Sequence, residues 1–247
     1  LEAALSHAER MIADGVDIFD IGGESSRPGA QPLPVDEELR RVMQVLYALR
    51  DCGKPLSVDT CKPQVMREAI EAGASMINEI TGLRADDAMC AVKDGDCGLC
   101  IMHMRGEPRT MQADPHYDDV VSEVAAFLRE RVVALEAEGV EHKRLCVDPG
   151  FGFGKTVAHN LALLAHLKII QASANAPVLA GLSRKSVIGA ITGKPVEQRL
   201  AGSVAAALAA AEQGAAIVRV HDVAETIDAL KVWQAVAQAA KSKGNSQ

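Results

Sequence analysis

This sequence of 247 residues has few aromatic residues, no excess of basic residues and no long apolar run. Its 33 acidic residues outnumber the 26 lysines and arginines, which gives a formal net charge of −7. Proteins that bind nucleic acid present basic surfaces, so an acidic chain argues against that class. No run approaches the ~20 apolar residues that cross a membrane. We therefore expect no nucleic-acid partner, no membrane partner and a cytoplasmic location.

Cysteines are few and scattered, with six in the whole chain. Only Cys97 and Cys100 have the CxxC spacing of metal and redox sites. Zinc takes about four ligands, and the sequence has no second such pair. The two thiols therefore belong either to an incomplete metal site or to a buried strand, and we favour the strand. Reduced thiols also fit a cytoplasmic protein.

Aromatic residues make up 3% of the chain, yet two of the four phenylalanines, Phe151 and Phe153, lie in the glycine-rich segment 148–156. This segment is not a P-loop, because Pro149 stands where the first glycine is required, and it lacks the GxGxxG fingerprint. It places Asp148 at a strand end, followed by backbone that can approach a ligand closely. Phe153 can offer its ring face to a flat ligand. The alternative is a structural turn with core phenylalanines.

Short apolar, β-branched runs alternate with longer helical patterns along the chain. The predicted strands are 17–21, 56–59, 76–80, 99–103, 145–148, 178–182 and 217–221. The predicted helices are 2–13, 36–51, 62–72, 85–94, 116–138, 159–172, 196–213 and 223–241. This alternation predicts an α/β protein with a parallel sheet, either open or closed into a barrel.

Polar residues at the strand ends favour the barrel. They are Asp20, Asp59, Asn78, His103, Asp148, Ser183 and His221. In a barrel every strand delivers its carboxyl end to one mouth, whereas an open sheet collects its ligands near one switch point. We therefore predict a (β/α)8 TIM barrel that forms a single domain over residues 1–247. A closed barrel has eight strands. Because the chain opens on a helix at Leu1, we expect the first strand and its loop to lie outside it.

Two basic segments predict an anion site at the mouth. Residues 183–185 (Ser-Arg-Lys) begin a helical turn, whose N–H groups suit a carboxylate or phosphate, although a solvated helix start is as consistent. Arg219 and His221 are two positions apart on a predicted strand and therefore face the same side. Buried cations are costly without an anion. Their partner is either an anionic ligand or an internal carboxylate such as Asp222.

Two further features complete the predicted mouth. Residues 22–29 (GGESSRPG) begin a proline-containing loop that is either a substrate lid or a flexible connector, and Arg27 on it can reach a phosphate. Asp59, Asn78 and Asp148 match the donor and acceptor edges of a heterocycle, since a carboxylate accepts two N–H bonds from a guanidine-like edge. Strand-end capping is the alternative for each of them alone. We interpret His103 as a core histidine.

Seven motifs, in order and spanning nearly the whole chain, resemble those of the dihydropteroate synthases, a family of bacterial folate-pathway enzymes. They are 22–29 (GGESSRPG), 57–60 (SVDT), 77–80 (INEI), 102–104 (MHM), 148–155 (DPGFGFGK), 183–185 (SRK) and 219–222 (RVHD). The resemblance implies a transferase that condenses 6-hydroxymethyl-7,8-dihydropterin pyrophosphate with p-aminobenzoate. It also implies that the products are 7,8-dihydropteroate and pyrophosphate, that Mg²⁺ assists, and that the enzyme is a homodimer.

The resemblance also implies roles for individual residues. The pterin would contact Asp59, Asn78, Met102, Asp148, Phe153, Gly181 and Lys185. The pyrophosphate would contact Arg27, Arg219 and His221. The p-aminobenzoate site, where sulfonamides compete, would comprise Ser26, Pro28, Ser183 and the stem of Lys185. No metal ligand is assigned in this chain, because the family's ligand is an asparagine of the first strand.

Two residues depart from the family pattern, and two other functions remain open. Ser26 stands where threonine is common and keeps the hydroxyl, while Glu79 replaces an aspartate beside Asn78.

A pterin-dependent methyltransferase barrel binds methyltetrahydrofolate with a similar Asp/Asn set but does not need the two basic segments. A non-catalytic barrel would bind a pterin or a partner protein without releasing pyrophosphate.

Overall fold

The computed structural model describes residues 1–25, 31–107 and 110–244, with side chains described up to residue 240. The strands are β1 Phe19–Gly22, β2 Leu56–Asp59, β3 Met76–Glu79, β4 Gly98–Met102, β5 Leu145–Asp148, β6 Leu179–Ala180 and β7 Ile217–Val218. The helices are α1 Glu2–Ala13, α2 Val35–Leu49, α3 Pro63–Glu71, α4 Asp86–Val92, α5 Val120–Ala137, α6 Val157–Ala165, α7 Leu167–Ala174, α8 Ser186–Thr192, α9 Leu200–Glu212 and α10 Val223–Gly244. Short 3-10 helices occupy His142–Arg144 and Val196–Gln198.

All strand pairs are parallel and follow the order of the chain. β1 to β5 form one sheet, β6 and β7 form another, and a bridge between Val147 and Val178 joins the two. Consecutive parallel strands with helices between them confirm the predicted (β/α)8 barrel fold. In the described chain β1 and β7 are the edge strands, and an ion pair between Arg219, directly after β7, and Asp20 of β1 links them.

The helices differ from the predictions in four places. The predicted helix 196–213 is a short 3-10 helix, Val196–Gln198, followed by α9 from Leu200. Residues 159–172 belong to two helices, α6 and α7, because His166 between them has a non-helical φ of −124°. The helix predicted from residue 116 begins at Val120, where the Asp119 side chain caps it by accepting hydrogen bonds from two backbone N–H groups. Helix α8 was predicted only as a helical turn. Its seven residues are too few to show a clear helical period.

Alternate residues of each strand face two different environments, as the period of two requires. Outward-facing residues such as Val58 and Ile77 are fully buried against the helices in the main core. A second, smaller cluster lies inside the barrel. Its members are Cys100, Cys146 and Leu179, with Met76 and Ile217 packed against them. We call this cluster the apolar floor, because it closes the barrel beneath the carboxyl ends of the strands.

The cysteines follow the strand interpretation. All six are free thiols, and both Cys97, directly before β4, and Cys100, within it, are buried. Across the residues that the structure describes, no cluster of three or more histidine, cysteine, aspartate or glutamate side chains is arranged to hold a metal ion. Within the same residues, no helix combines the length and apolar character needed to cross a membrane.

Candidate active site

The predicted ligand residues form a polar layer directly above the apolar floor. Asn78 lies two positions after Met76, Asp148 two after Cys146, and Arg219 two after Ile217. Residues two apart on a strand share one face, so each polar side chain stands above a floor residue. Arg219 follows the last residue of β7, but its N–H still bonds the Ala180 carbonyl at 2.9 Å and continues the pairing. The barrel therefore brings together side chains that are far apart in the sequence.

Asp59 and Asn78 lie side by side at this layer. They are partners in the register of β2 and β3. Asn78 is buried and donates its amide N–H to Asp20 Oδ2 at 3.2 Å. Burial and the neighbouring Asp20 raise the pKa of Asp59 to about 7, although Arg219 opposes them. Asp59 is thus a carboxyl group that changes its protonation state near neutral pH.

Asp148 occupies the opposite side of the mouth. It is buried, and one of its oxygens accepts a hydrogen bond from the Gly150 N–H at 2.7 Å. Burial raises the pKa of Asp148, while the positive charge of Lys185 lowers it. The other carboxylate oxygen accepts no hydrogen bond from the protein within the described residues, so the group retains capacity to accept from a ligand.

Lys185 and Phe153 stand next to Asp148. Lys185 donates from Nζ to the Phe151 carbonyl at 2.6 Å, and the same nitrogen lies 5.0 Å from the centre of the Phe153 ring. Burial lowers the pKa of Lys185 to about 8. Phe153 also packs against the buried cluster of Met102, Met104 and Met111, so the predicted pocket residues of this side belong to one apolar group. A flat ligand above Met102 would have the Phe153 ring on one side and the ammonium group of Lys185 close by.

Gly181 lies between Lys185 and Arg219. A Cβ built on it would come 3.7 Å from the Arg219 Cβ and 3.9 Å from the Lys185 Nζ. These are ordinary contact distances, so a side chain at this position would fill the space between the two cations. The glycine keeps that space open.

The loop after β5 depends on glycine at specific positions. Gly150 has a φ of +71°, and a Cβ there would lie 1.9 Å from the His103 carbonyl oxygen. Gly152 has a φ of +81°, but a Cβ there would only touch Lys185 Cδ at 3.6 Å. The two glycines therefore share the left-handed strain that a side chain would suffer, and only Gly150 adds a collision with backbone.

This difference predicts the outcome of a matched pair of substitutions. We expect Gly152→Ala to lower the free energy of unfolding by about 1–2 kcal/mol, the usual cost of left-handed backbone. Gly150→Ala should cost at least about twice as much, because the backbone of His103, directly after β4, must also move. Denaturant unfolding of the two purified variants measures the difference. Equal losses would show that the close approach to His103 is not needed.

Lys155 is a site residue that sequence reasoning missed. It is 3% exposed, and its Nζ lies 2.9 Å from His103 Nδ1 and 2.9–3.3 Å from the carbonyl oxygens of His103, Gly150 and Phe153. The lysine thus ties the loop of Phe153 to the end of β4. His103 is buried, as expected of the core histidine that we predicted, and burial and Lys155 lower its pKa to about 3. The only sequence signal was a lysine that ends a glycine-rich segment.

Arg219 and His221 do not contact the same groups. Arg219 donates to Asp20 and, at 3.4 Å, to Asp59. Burial alone would lower the pKa of Arg219, but Asp20 and Asp59 together raise it. The prediction that both residues lie on the last strand is wrong, because β7 ends at Val218. The internal carboxylates that contact Arg219 are on β1 and β2, whereas Asp222 pairs with Arg184.

Ser183 and His221 form a separate contact at the rim. Ser183 is buried, and its hydroxyl oxygen accepts the His221 N–H at 3.2 Å and lies 3.1 Å from His221 Nδ1. His221 itself is exposed. The structure therefore places the serine of the Ser-Arg-Lys motif beside the histidine of the last motif. Ser26, Arg27 and Pro28 lie outside the described residues.

The base of the loop that carries those three residues is anchored by Glu24. Its Oε2 accepts a hydrogen bond from the Leu33 N–H at 3.1 Å and forms an ion pair with Lys62. Lys62 also pairs with Glu38, which is 1% exposed and accepts the Thr60 hydroxyl at 2.6 Å. Sequence reasoning missed this cluster, because none of its members lies near the others in the chain except Thr60 and Lys62.

These features define a barrel enzyme of the class that binds a polar heterocycle with an anionic substituent. Residues 1–221 match the family model described as pterin binding enzyme. Dihydropteroate synthase of Haemophilus influenzae is 50% identical over 242 residues, which are 97% of this chain and 87% of that protein. The chain belongs to the dihydropteroate synthase family of pterin binding enzymes.

Solved structures agree with this family. Dihydropteroate synthase of Burkholderia cenocepacia, complexed with 7,8-dihydropteroate, is 57% identical with a TM-score of 0.93, over 98% of this chain and 89% of that one. The Yersinia pestis enzyme with a sulfonamide drug complex is 44% identical with a TM-score of 0.93, over 96% and 86%. The resemblance seen in the sequence motifs is confirmed. These relatives do not support the methyltransferase alternative.

Proposed function

We propose that this chain joins 6-hydroxymethyl-7,8-dihydropterin pyrophosphate to p-aminobenzoate and releases pyrophosphate. The observation that carries the proposal is the polar layer: two carboxyl groups and an amide for a heterocycle lie in one mouth with Arg219 for an anion. A bare heterocycle would not need that arginine. The dihydropteroate in the Burkholderia cenocepacia relative supports the same reaction here.

The pterin ring is recognised by Asp148, Asn78 and Asp59. Asp148 accepts N–H bonds from the guanidine-like edge of the pterin, since a buried carboxylate makes strong charge-assisted bonds. Asp59 on β2 and Asn78 on β3 hydrogen-bond the remaining polar atoms of the ring. Met102 and Phe153 contact the ring faces, and Phe153 packs against the buried cluster to which Met102 belongs.

Arg219 binds the pyrophosphate, together with His221 and, by resemblance, Arg27. As the carbon–oxygen bond breaks, the electron pair leaves with the pyrophosphate, and nearby cations stabilise the growing negative charge. The carbon that remains is a cation conjugated with the electron-rich pterin. The aniline nitrogen of p-aminobenzoate then forms the new carbon–nitrogen bond and loses a proton to solvent. No strong nucleophilic base is required, and positioning supplies much of the rate.

The p-aminobenzoate lies against Ser183 and the stem of Lys185, with Ser26 and Pro28 added by resemblance. Ser183 is within hydrogen-bond distance of His221, so the two substrate sites meet at this pair. A nucleophile held there is close to the carbon that carries the pyrophosphate. One domain over residues 1–247, a homodimer and a cytoplasmic location remain part of the proposal.

Magnesium does not fit a resident site among the described residues. Asp20 and Asp59 are the acids closest to the pyrophosphate position, and both are engaged by Arg219. No group of three suitable side chains exists in the described part of the chain. We therefore treat Mg²⁺ as an ion that enters with the pyrophosphate of the substrate.

Competition with sulfonamides tests the assignment. A sulfonamide should raise the KM of p-aminobenzoate without changing kcat, because both occupy the site of Ser183 and Lys185. Methyltetrahydrofolate should donate no methyl group to an acceptor, which separates this reaction from that of the methyltransferase barrels. The absence of any sulfonamide effect, or methyl transfer, would overturn the proposal.

The pH dependence of the reaction follows from Asp59. Its carboxylate must be ionised to accept from the ring, and its pKa is raised to about 7. We therefore expect kcat/KM for the pterin pyrophosphate to fall as pH decreases below 7, by about tenfold per unit at the limit. A rate profile between pH 5 and 9 measures this. A flat profile down to pH 5 would contradict the role of Asp59.

A further inference from the structure

Asp20 contacts three polar side chains of the site without being one of its predicted ligands. It lies on β1, opposite Ser57 in the register with β2. Its Oδ1 accepts the Ser57 hydroxyl at 2.6 Å, and its Oδ2 accepts from Asn78 Nδ2 at 3.2 Å and from Arg219 Nε. Both carboxylate oxygens are thus used by neighbours on β2, on β3 and after β7.

The contact with Asn78 determines how that amide is turned. A carboxylate can only accept, so Asn78 must present its NH₂ group to Asp20. The amide oxygen then points away from Asp20. The orientation of the amide is thereby fixed, with its oxygen and its second N–H at defined positions for the ligand. Without Asp20 the amide could rotate by half a turn and present the wrong atom to the pterin ring.

The contact with Arg219 determines which of its N–H groups remain for an anion. A guanidinium has five N–H donors. The contacts with Asp20 and Asp59 engage Nε and one Nη, and the Asp59 contact is long at 3.4 Å. Asp20 therefore holds the arginine by its Nε edge, and Asp59 keeps most of its capacity for the pterin. If Asp20 were missing, Asp59 would be the nearest carboxylate for the guanidinium.

We propose that Asp20 is a positioning residue that orients the Asn78 amide for the pterin and fixes Arg219 for the pyrophosphate. One acid thereby aligns the two halves of the substrate site from beneath. The inference rests on the proposed function. It adds a residue that touches neither substrate but decides the geometry of two that do.

The test compares three variants of the purified protein. Asp20→Ala removes all three contacts. Asp20→Asn is the conservative variant, because its oxygen can still accept from Asn78 and Arg219 while its NH₂ donates to the Ser57 hydroxyl. Asp17→Ala is the matched control, since Asp17 is an exposed acid just before the same strand. Steady-state kinetics and equilibrium binding of the bare pterin alcohol are measured for each variant.

Asp20→Ala should raise the KM of the pterin pyrophosphate by about 10- to 100-fold, as a misplaced binding group does, and leave the KM of p-aminobenzoate within about twofold. Asp20→Asn should restore the affinity for the pterin alcohol to within about threefold of the unmodified protein. It should still bind the pyrophosphate derivative more weakly, because the neutral amide holds Arg219 less firmly.

Several outcomes would overturn the proposal. The first is that Asp20→Ala has the same kinetic constants as Asp17→Ala. The second is that Asp20→Ala changes the KM of the pterin pyrophosphate and the KM of p-aminobenzoate equally, or lowers kcat alone. The third is that Asp20→Ala binds the pterin pyrophosphate more tightly than the unmodified protein does. If Asp20→Ala does not fold, the test rests on Asp20→Asn. Unchanged affinity of that variant for both the pterin alcohol and the pterin pyrophosphate then refutes the positioning role. If the unmodified protein makes no dihydropteroate, the proposed function fails, while pterin alcohol binding still tests the Asn78 half of the inference.

Discussion

Replacing Asp148 by asparagine is expected to weaken binding of the pterin by about 100- to 1,000-fold. The carboxylate is buried and is the predicted partner of the guanidine-like edge of the ring. Removing one side of a buried, charge-assisted pair costs about 2–5 kcal/mol. The asparagine has nearly the same shape, but one of its two acceptors is replaced by a donor, which would face the donors of the pterin.

Binding of the pterin alcohol and of the pterin pyrophosphate should fall by the same factor in Asp148→Asn. The reason is that Asp148 contacts the ring, which the two ligands share. Asp96→Asn is a suitable control, because Asp96 is exposed two residues before β4, at the other end of the barrel. Calorimetric titration of both ligands gives the comparison. A loss confined to the pyrophosphate derivative would mean that Asp148 does not contact the ring.

Replacing Arg219 by alanine should have the second largest effect, and it should distinguish the two ligands. We expect the pterin pyrophosphate to bind about 100-fold more weakly, since a charge-assisted contact to a phosphate is lost. The bare pterin alcohol should lose only a few-fold in affinity. Titrations at a pH well above 7 keep Asp59 ionised after its cationic neighbour has been removed.

The control for Arg219→Ala is Arg50→Ala, an exposed arginine that follows α2 and pairs only with Asp51 among the described residues. It has the same change of charge and should bind both ligands as the unmodified protein does. Equal weakening of the two ligands by Arg219→Ala would refute the anion role and assign this arginine to the ring or to the structure of the mouth.

Much of the fold could be predicted from the sequence, because local patterns determine it. The short segments 56–59 and 145–148, each an apolar stretch that ends in an aspartate, form β2 and β5 with the predicted bounds. The period of two along a strand also explains why Asn78 and Asp148 stand above floor residues. The break at His166 was not predictable in this way, since the apolar period continues across it.

The sequence predicted the ligand residues of the candidate site but not the side-chain contacts that join them. Asp20 and Arg219 are 199 positions apart, and nothing local indicates that they form an ion pair. Lys155 and His103 are 52 positions apart and meet only because the loop after β5 folds back over β4. Such contacts depend on which strands become neighbours across the barrel, and that is a property of the whole fold.

The formation of product tests the central claim most directly. Purified protein is mixed with the pterin pyrophosphate, p-aminobenzoate and Mg²⁺, and both products are measured over time. We expect dihydropteroate and pyrophosphate in equal amounts, and no dihydropteroate when p-aminobenzoate is left out. Pterin binding without any formation of dihydropteroate would contradict the account, because the barrel would then be a pterin-binding protein and not a synthase.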